Sequence, residues 1–200
     1  MILPKGQDDP FCFTFQKRWE VDPVLKNLRY LTLSALFTGL LVLCSMLTIP
    51  MGDARISMQL CAVLLLGGIL PLPYALCTLA VYLTLGALGL PVFAGFGAGA
   101  GVLLGPTGGF LFGFLPAMLI QQLLFRLLSP RPAAHPLSCI GATLCCYLCG
   151  ALWYHAYFPQ APLWSVLALC VLPYLLPDAL KILLSSLILK KISFIKKNAD

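Results

Sequence analysis

The chain is dominated by long apolar segments that are separated by short runs of proline, glycine and basic residues. Of its 200 residues 60% are hydrophobic and 10% are charged, whereas a soluble domain carries about a quarter charged residues. The hydrocarbon core of a bilayer is about 30 Å thick and needs about 20 apolar residues for each helical crossing. Because lipid offers the backbone no hydrogen-bond partners, each crossing must be helical. The sequence therefore predicts an all-α polytopic membrane protein.

The apolar segments predict six transmembrane helices. Proline marks several of their ends, because it disfavours a helix interior. The apolar segment after Pro162 is too long for one crossing, so we expect the last helix to begin at Pro173 and residues 163–172 to lie at the membrane surface. The predicted spans are 30–47, 56–70, 74–90, 110–128, 137–157 and 173–192, with a plain loop between the first two.

The basic residues predict the topology of these spans. Eleven of the 13 Lys and Arg residues fall on one side of a six-span arrangement: five near the N-terminus, two between the fourth and fifth spans and four near the C-terminus. Cytosolic segments are enriched in Lys and Arg, so we expect both termini in the cytosol and the protein in the cell inner (plasma) membrane. The predicted organisation is a cytosolic tail over 1–29, a membrane domain over 30–192 and a basic cytosolic tail over 193–200.

A glycine-rich loop is predicted over residues 90–101, where Gly95, Gly97, Gly99 and Gly101 alternate with apolar residues. Each glycine inside a helix costs about 1 kcal/mol relative to alanine, so four of them disfavour a helix. The loop lacks the Lys-Ser/Thr of a phosphate-binding loop. Because an apolar loop needs cover, we expect residues 94–104 to pack on the protein or to close over a bound molecule.

Asp178 and Lys181 are the two charged residues that fall inside a predicted span and away from its C-terminal end. An ionised residue at the bilayer centre costs about 2.5–3.5 kcal/mol and usually marks a substrate or ion path. Their spacing of three residues places both on one helix face, where they can pair, one to two turns from Pro173. They predict an amphipathic small-molecule pocket that opens to the outside. The simpler alternative is an ion pair used for packing, or a lysine that extends towards the membrane surface.

Four further side chains are candidates for the same pocket. Gln59 lies at the outer end of the second span and can donate or accept hydrogen bonds. Tyr82 in the third span, with Tyr147 and Trp153 in the fifth, offers apolar walls with a polar group. Each of these four residue types is common in a core or at a membrane interface. We assign them to one pocket because they accompany the charged pair.

The sequence gives little support for a metal site or a catalytic site. Cys146 and Cys149 have the spacing of half a metal or redox motif, but they lie in an apolar helix without a second pair, which favours packing. Neither nucleophile nor second carboxylate accompanies Asp178 and Lys181, so an enzyme that uses them as acid and base is a weak alternative. We predict no catalytic residues, no metal site, no cofactor and no nucleic-acid partner.

On the first span, Ala35 and Gly39 form a small-xxx-small pair. Such pairs let helices approach closely in lipid, and we expect this face to contact a partner subunit. The remaining apolar surface is expected to contact membrane lipids.

Three stretches carry a resemblance to a known family. Residues 82–95 read YLTLGALGLPVFAG, residues 101–113 read GVLLGPTGGFLFG, and residues 173–181 read PYLLPDALK. They resemble the BioY family, the biotin-specific S components of energy-coupling factor (ECF) transporters. Three departures stand out: Pro177 occupies a position where the family usually has glycine, Gly97 one where some members carry arginine, and the loop before the second span, usually proline-rich and uncharged, contains Asp53 and Arg55.

The resemblance implies a six-helix, S-component-like fold that captures biotin from outside. It also implies a coupling transmembrane subunit and two ATPase subunits, or a protein that acts alone. The ureido ring of biotin offers two N–H donors and one carbonyl acceptor, which complement Asp178 and Lys181; alternatively, Lys181 meets the valerate carboxylate. The alternatives in function are an S component for another vitamin, the enzyme above, or a purely structural membrane subunit.

Overall fold

The described part of the chain is mostly helical. The computed structural model describes residues 23–51, 54–129, 133–160, 162, 164–166 and 171–199. The helices are α1 (Pro23–Met46), α2 (Gln59–Ile69), α3 (Leu72–Ala87), α4 (Ala100–Leu104), α5 (Gly108–Leu128), α6 (Ala134–Tyr157) and α7 (Leu172–Ala199). Two strands, β1 (Thr48–Met51) and β2 (Ala54–Ser57), precede α2.

Four helices are long and apolar enough to cross a membrane, which identifies the chain as a membrane protein. The apolar helices α2 and α3 have 11 and 16 residues, and at 1.5 Å per residue they reach about 16 and 24 Å. The prediction of six crossings is therefore not established by helix length. The membrane-length segments are Asn27–Met46, Gly108–Leu128, Ala134–Tyr157 and Leu172–Ile192.

The segment before α2 adds two short strands to the mostly helical fold. Where a plain loop was expected, β1 and β2 pair antiparallel, with Thr48 opposite Ser57 and Ile49 opposite Ile56. β-Branched residues at these positions favour an extended backbone. The second helix consequently begins at Gln59 rather than at residue 56.

Helix ends differ from the predicted spans at both termini. The first helix begins at Pro23, and the last one continues to Ala199, beyond the predicted span end at 192. A span predicted from hydropathy ends where the apolar residues end, whereas helical hydrogen bonding continues into polar residues. The start of α7 at Leu172 agrees closely with the predicted start at Pro173, since proline is favoured in the first turn. Of the predicted tail over 1–29, residues 1–22 lie outside the described residues, as do residues 163 and 167–170 of the predicted surface segment.

Helix α2 occupies the centre of the bundle. Eight of its 11 residues are buried, and it packs against α1, α5, α6 and α7. A helix that is apolar all round is typical of such a fully surrounded position. The cavity described below begins at its N-terminal end.

Helices α5 and α6 form the most extensive helix pair. Glycines along both helices allow this, because a Cβ atom at Gly109 would overlap Trp153, and one at Gly141 would overlap Leu124. Small residues permit the close backbone approach that packs helices in lipid. The pair forms one side of the cavity.

The glycine-rich loop is non-helical up to Gly99, as predicted, and its last residues open the short helix α4. Phe93 and Gly97 form an isolated antiparallel bridge around a tight turn. Within this turn Gly95 has φ 68° and Phe96 has φ 62°. The left-handed backbone suits glycine but is uncommon for phenylalanine. The turn places its first and last residues against the bundle.

Candidate binding site

A cavity of about 440 Å³ lies between the N-terminal end of α2, the glycine-rich loop, α5, α6 and α7. Sites for small molecules in proteins commonly measure about 300–1,000 Å³ and are mostly apolar with a few polar groups. The apolar lining includes Phe93, Val102, Phe110, Leu111 and Phe114, and the polar lining includes Ser57, Gln59, Thr107, Tyr147, Tyr174, Asp178 and Lys181.

The charged pair forms one wall of this cavity. Lys181 Nζ donates to Asp178 Oδ1 at 2.5 Å, and Tyr147 Oη donates to Asp178 Oδ2 at 2.6 Å. Asp178 and Lys181 are each 4% exposed. A buried carboxylate is tolerated when it is paired and hydrogen-bonded, which is the case for both oxygens here. An ammonium group carries three donors, so Lys181 can hold Asp178 and meet a ligand acceptor at once.

The regular spacing of α7 places these groups. Asp178, Lys181 and Ser185 are all buried, as expected for positions three and four residues apart on one helix face. One turn farther from the cavity, Ser185 Oγ lies 3.3 Å from Cys61 Sγ of α2. Polar contact between α2 and α7 therefore continues past the cavity into the bundle.

Gln59 contributes to the site from the start of α2. It is buried and lines the cavity, and its Nε2 donates to Tyr82 Oη at 3.0 Å. Tyr82 in turn donates to the carbonyl oxygen of Val92 at 2.8 Å. Tyr82 itself is 0% exposed and packs edge-on against the Phe93 ring, with 5.6 Å between centroids. The structure therefore places Tyr82 behind the wall that Gln59 and Phe93 form.

Trp153 also lies behind the wall. Its Nε1 donates to the carbonyl oxygen of Gly105 at 3.0 Å, and its ring packs on Phe112 at 5.7 Å. Gly105 is itself part of the lining. Trp153 therefore fixes the segment between α4 and α5.

Gly97 lines the cavity from the loop side. A Cβ atom there would lie 3.4 Å from side-chain atoms of Phe93 and Val102, which is close to ordinary contact. Alanine thus fits with small adjustments, whereas a long side chain would enter the cavity or displace the loop.

The Ala35 and Gly39 pair is remote from the cavity. Both residues are exposed on α1, and among the described residues, apart from the helix's own backbone, no atom lies within 4 Å of a Cβ built on Gly39. The face is open along this stretch of the helix.

Several lining residues escaped sequence reasoning. Tyr174 lies four residues before Asp178, and Phe110 and Phe114 are likewise four apart on α5. Helical spacing from the charged pair could have identified Tyr174. The two phenylalanines carry no such signal, because aromatic residues are common in membrane helices. Among the described residues, no group of three His, Cys, Asp or Glu side chains could hold a metal ion.

A membrane-embedded helical bundle that encloses an apolar cavity with a buried charged pair defines a small-molecule-binding membrane protein. Its fold is similar to a crystal structure of the S component for biotin from an ECF-type ABC transporter, with a TM-score of 0.76 and 25% identity over 84% of this chain and 92% of that one. The model of the BioY family matches residues 16–197. The chain belongs to the BioY family.

Individual relatives agree with this assignment. The biotin transporter BioY of Thermotoga maritima is 42% identical over 97 residues, which cover 48% of this chain and 57% of that protein. The biotin transporter BioY of Rhodobacter capsulatus is 32% identical over 185 residues, which cover 86% of this chain and 96% of that protein. The similarity thus extends over nearly the full length of the second relative.

Proposed function

We propose that this protein is the S component of a biotin importer and that biotin binds in the cavity between the glycine-rich loop and α7. The observation that carries the proposal is the buried group of Asp178, Lys181 and Tyr147 on the wall of an apolar cavity, in a chain of the BioY family. Polar groups at one wall complement a polar head group, and the aromatic walls suit the apolar remainder of the ligand.

The ureido ring and the valerate carboxylate of biotin can each meet this wall. With the ureido ring, Asp178 accepts from the N–H groups and Lys181 donates to the carbonyl oxygen. With the carboxylate, Lys181 forms an ion pair and Asp178 faces a like charge. The first orientation fits the hydrogen-bonding groups better. A biotin amide, which lacks the charged carboxylate, should therefore bind nearly as tightly as biotin; a large loss of affinity would favour the second orientation.

Equilibrium binding of labelled biotin to the detergent-purified protein tests the proposal. We expect saturable binding that is displaced by unlabelled biotin and not by thiamin or riboflavin. Asp178→Asn and Lys181→Ala should each abolish high-affinity binding, whereas Lys190→Ala, at an exposed lysine of the same helix, serves as the matched control. Displacement by another vitamin would reassign the ligand, and near-normal binding by both site variants would move the site elsewhere.

The proposed topology has six crossings, with both termini in the cytosol of the cell membrane. It is supported by the apolar character of α2 and α3. The exposed basic residues Arg126 and Lys190 lie near the C-terminal ends of the membrane-length segments Gly108–Leu128 and Leu172–Ile192 and agree with it. Reporter fusions at each terminus check the assignment; activity of an external reporter at either end would contradict it.

We further propose that a coupling transmembrane subunit and two ATPase subunits drive import, and that the exposed Ala35 and Gly39 face of α1 contacts the coupling subunit. Residues 94–104 are proposed to close over bound biotin. Ala94 and Gly97 already line the cavity, so a small shift of the loop changes access to it. Protection of this segment from protease by biotin supports closure, and equal cleavage with and without biotin contradicts it.

A further inference from the structure

One buried carbonyl oxygen fixes the base of the glycine-rich loop. The carbonyl of Val92 accepts a hydrogen bond from Tyr82 Oη at 2.8 Å and lies 2.5 Å from Ser45 Oγ, whose single hydroxyl proton it shares with the carbonyl of Val42 at 2.7 Å. Ser45 on α1 and Tyr82 on α3 are both fully buried. Two helices therefore hold the same point of the loop, immediately before its turn.

The turn that follows this point forms part of the cavity wall. Phe93 is buried against Gly86 of α3, where a Cβ atom would overlap its ring. Its N–H donates to the carbonyl of Gly97 at 3.0 Å, and the N–H of Gly99 donates to the carbonyl of Gly86 at 2.8 Å. The turn is thus closed on itself and tied to α3. Its position over the cavity depends on where the Val92 carbonyl is held.

Gln59 connects this anchor to the cavity. Its Nε2 donates to Tyr82 Oη at 3.0 Å, so the hydroxyl proton of Tyr82 is directed to Val92. The hydrogen bonds run in one direction, from amide to hydroxyl to carbonyl, and such chains strengthen one another. Gln59 also lines the cavity, so a ligand that contacts Gln59 acts on the first member of the chain.

We propose that Ser45, Tyr82 and Gln59 form a latch that sets the position of the glycine-rich loop and thereby the residence time of the ligand. Tyr82 and Ser45 are positioning residues, since neither belongs to the lining of the cavity. Gln59 is the member of the latch that a bound ligand can contact. For Tyr82 this replaces the direct ligand contact expected from the sequence. The inference rests on the proposed binding of biotin, but the state of the loop can be measured without ligand.

The test removes the hydroxyl groups and keeps the packing. Tyr82→Phe retains the ring and its edge-on contact with Phe93, and Ser45→Ala removes the second donor. Thr84→Val is the matched control, because Thr84 is an exposed hydroxyl on α3 that bonds within its own helix. Phe96 is 70% exposed at the tip of the turn, so cleavage after Phe96 by chymotrypsin reports release of the loop in ligand-free protein.

We expect the double variant Tyr82→Phe/Ser45→Ala to be cleaved after Phe96 about tenfold faster than the control and to release labelled biotin about tenfold faster, with a nearly unchanged association rate. Tyr82→Phe alone should give a smaller change in the same direction, and it provides the test if the double variant does not fold.

Cleavage and release equal to those of Thr84→Val would overturn the latch. Faster cleavage with unchanged release would also overturn it, because the loop would then not retain the ligand. Absence of biotin binding by the wild type would reject the proposed function, and the cleavage rates would still test the latch.

Discussion

The two ends of helix α2 satisfy their polar groups in different ways. At the cavity end, Gln59 bonds to another side chain, and through it to a loop. From the middle of α2 to its C-terminal end, which we call the closed end, the adjacent residues Gln121 and Gln122 of α5 donate to backbone carbonyls of α2 and of Leu70, the residue that follows it. The accepting carbonyls are those of Leu64 at 2.7 Å, Gly67 at 3.1 Å and Leu70 at 2.8 Å.

This difference makes the closed end of α2 the more rigid end and leaves the cavity end for ligand recognition. The backbone of a helix is fixed by its own hydrogen bonds, so amides that bond to it join α2 to α5 as one unit. Side chains and loops can change partners at lower cost, and local opening occurs where few packed contacts oppose it. We therefore expect substitutions at the closed end to lower stability and those at the cavity end to lower ligand binding. Four predictions follow this contrast, in order of their effect on binding.

The ion pair should give the largest effect. Lys181→Met leaves the Asp178 carboxylate buried without its cation, and we expect the free energy of unfolding to fall by about 3–5 kcal/mol and biotin binding to be lost. The double variant Asp178→Asn/Lys181→Met removes both charges and should recover most of the stability but no binding. Thermal unfolding and equilibrium binding measure the two quantities. A double variant as unstable as the single one would show that the two charges are not coupled.

A matched pair of glycines compares the two ends directly. A Cβ atom at Gly86 would overlap the ring of Phe93 in the cavity wall, and one at Gly68 would overlap Leu189 at the closed end. Gly86→Ala and Gly68→Ala should each cost about 1–3 kcal/mol of stability through overpacking.

The pair should differ in ligand binding. Gly86→Ala should weaken biotin affinity about tenfold, because it displaces Phe93, whereas Gly68→Ala should leave affinity within about twofold. Titration of labelled biotin against both variants provides the measurement. Equal losses of affinity would mean that the ends are not separable.

The glutamines of the closed end should affect stability with little change in binding. Gln122→Leu leaves the carbonyl oxygens of Gly67 and Leu70 without their side-chain donor, and we expect a loss of about 1–3 kcal/mol. Gln121→Leu should cost less, because the buried Gln121 Oε1 has no hydrogen-bond partner among the described residues and its removal relieves that cost. Chemical or thermal unfolding ranks the two variants. The reverse order would mean that Gln121 Oε1 accepts a hydrogen bond and that its loss costs stability.

The face of α1 should give the smallest effect on the isolated protein. Leucine at both Ala35 and Gly39 meets open space, so folding and biotin affinity should match the wild type. Uptake by the complex reconstituted with a coupling subunit should fall, because larger side chains prevent close helix approach. Normal assembly and transport by the double variant would remove this face from the proposed interface.

The sequence was most informative where one helix determines the geometry. The spacing of Asp178 and Lys181 and the preceding Pro173 predicted a buried, paired group near the start of the last helix, and the structure has that arrangement. The family resemblance was also correct. Both depend on local rules or on continuous motifs.

Contacts between segments that are distant in the sequence could not be predicted from helical spacing or from motifs. Tyr147 reaches Asp178 across 31 positions of sequence, and Gln59 reaches Tyr82 across 23. Periodicity gives the buried face of a helix but not the residue that lies opposite it. The same limit explains why Tyr82 was expected on the cavity wall rather than behind it, and why two strands of four residues were missed.

The Asp178 and Lys181 pair also bears on the electrical work of transport. Carboxylate and ammonium cancel, so the pair adds no net charge to the empty cavity. A ligand that enters as a monoanion makes the loaded protein one charge more negative than the empty one. Moving one elementary charge through 100 mV changes the free energy by about 2.3 kcal/mol. In the proposed biotin import, inward movement of a site loaded with a monoanion would work against an inside-negative membrane potential, whereas movement of the empty, neutral site would not.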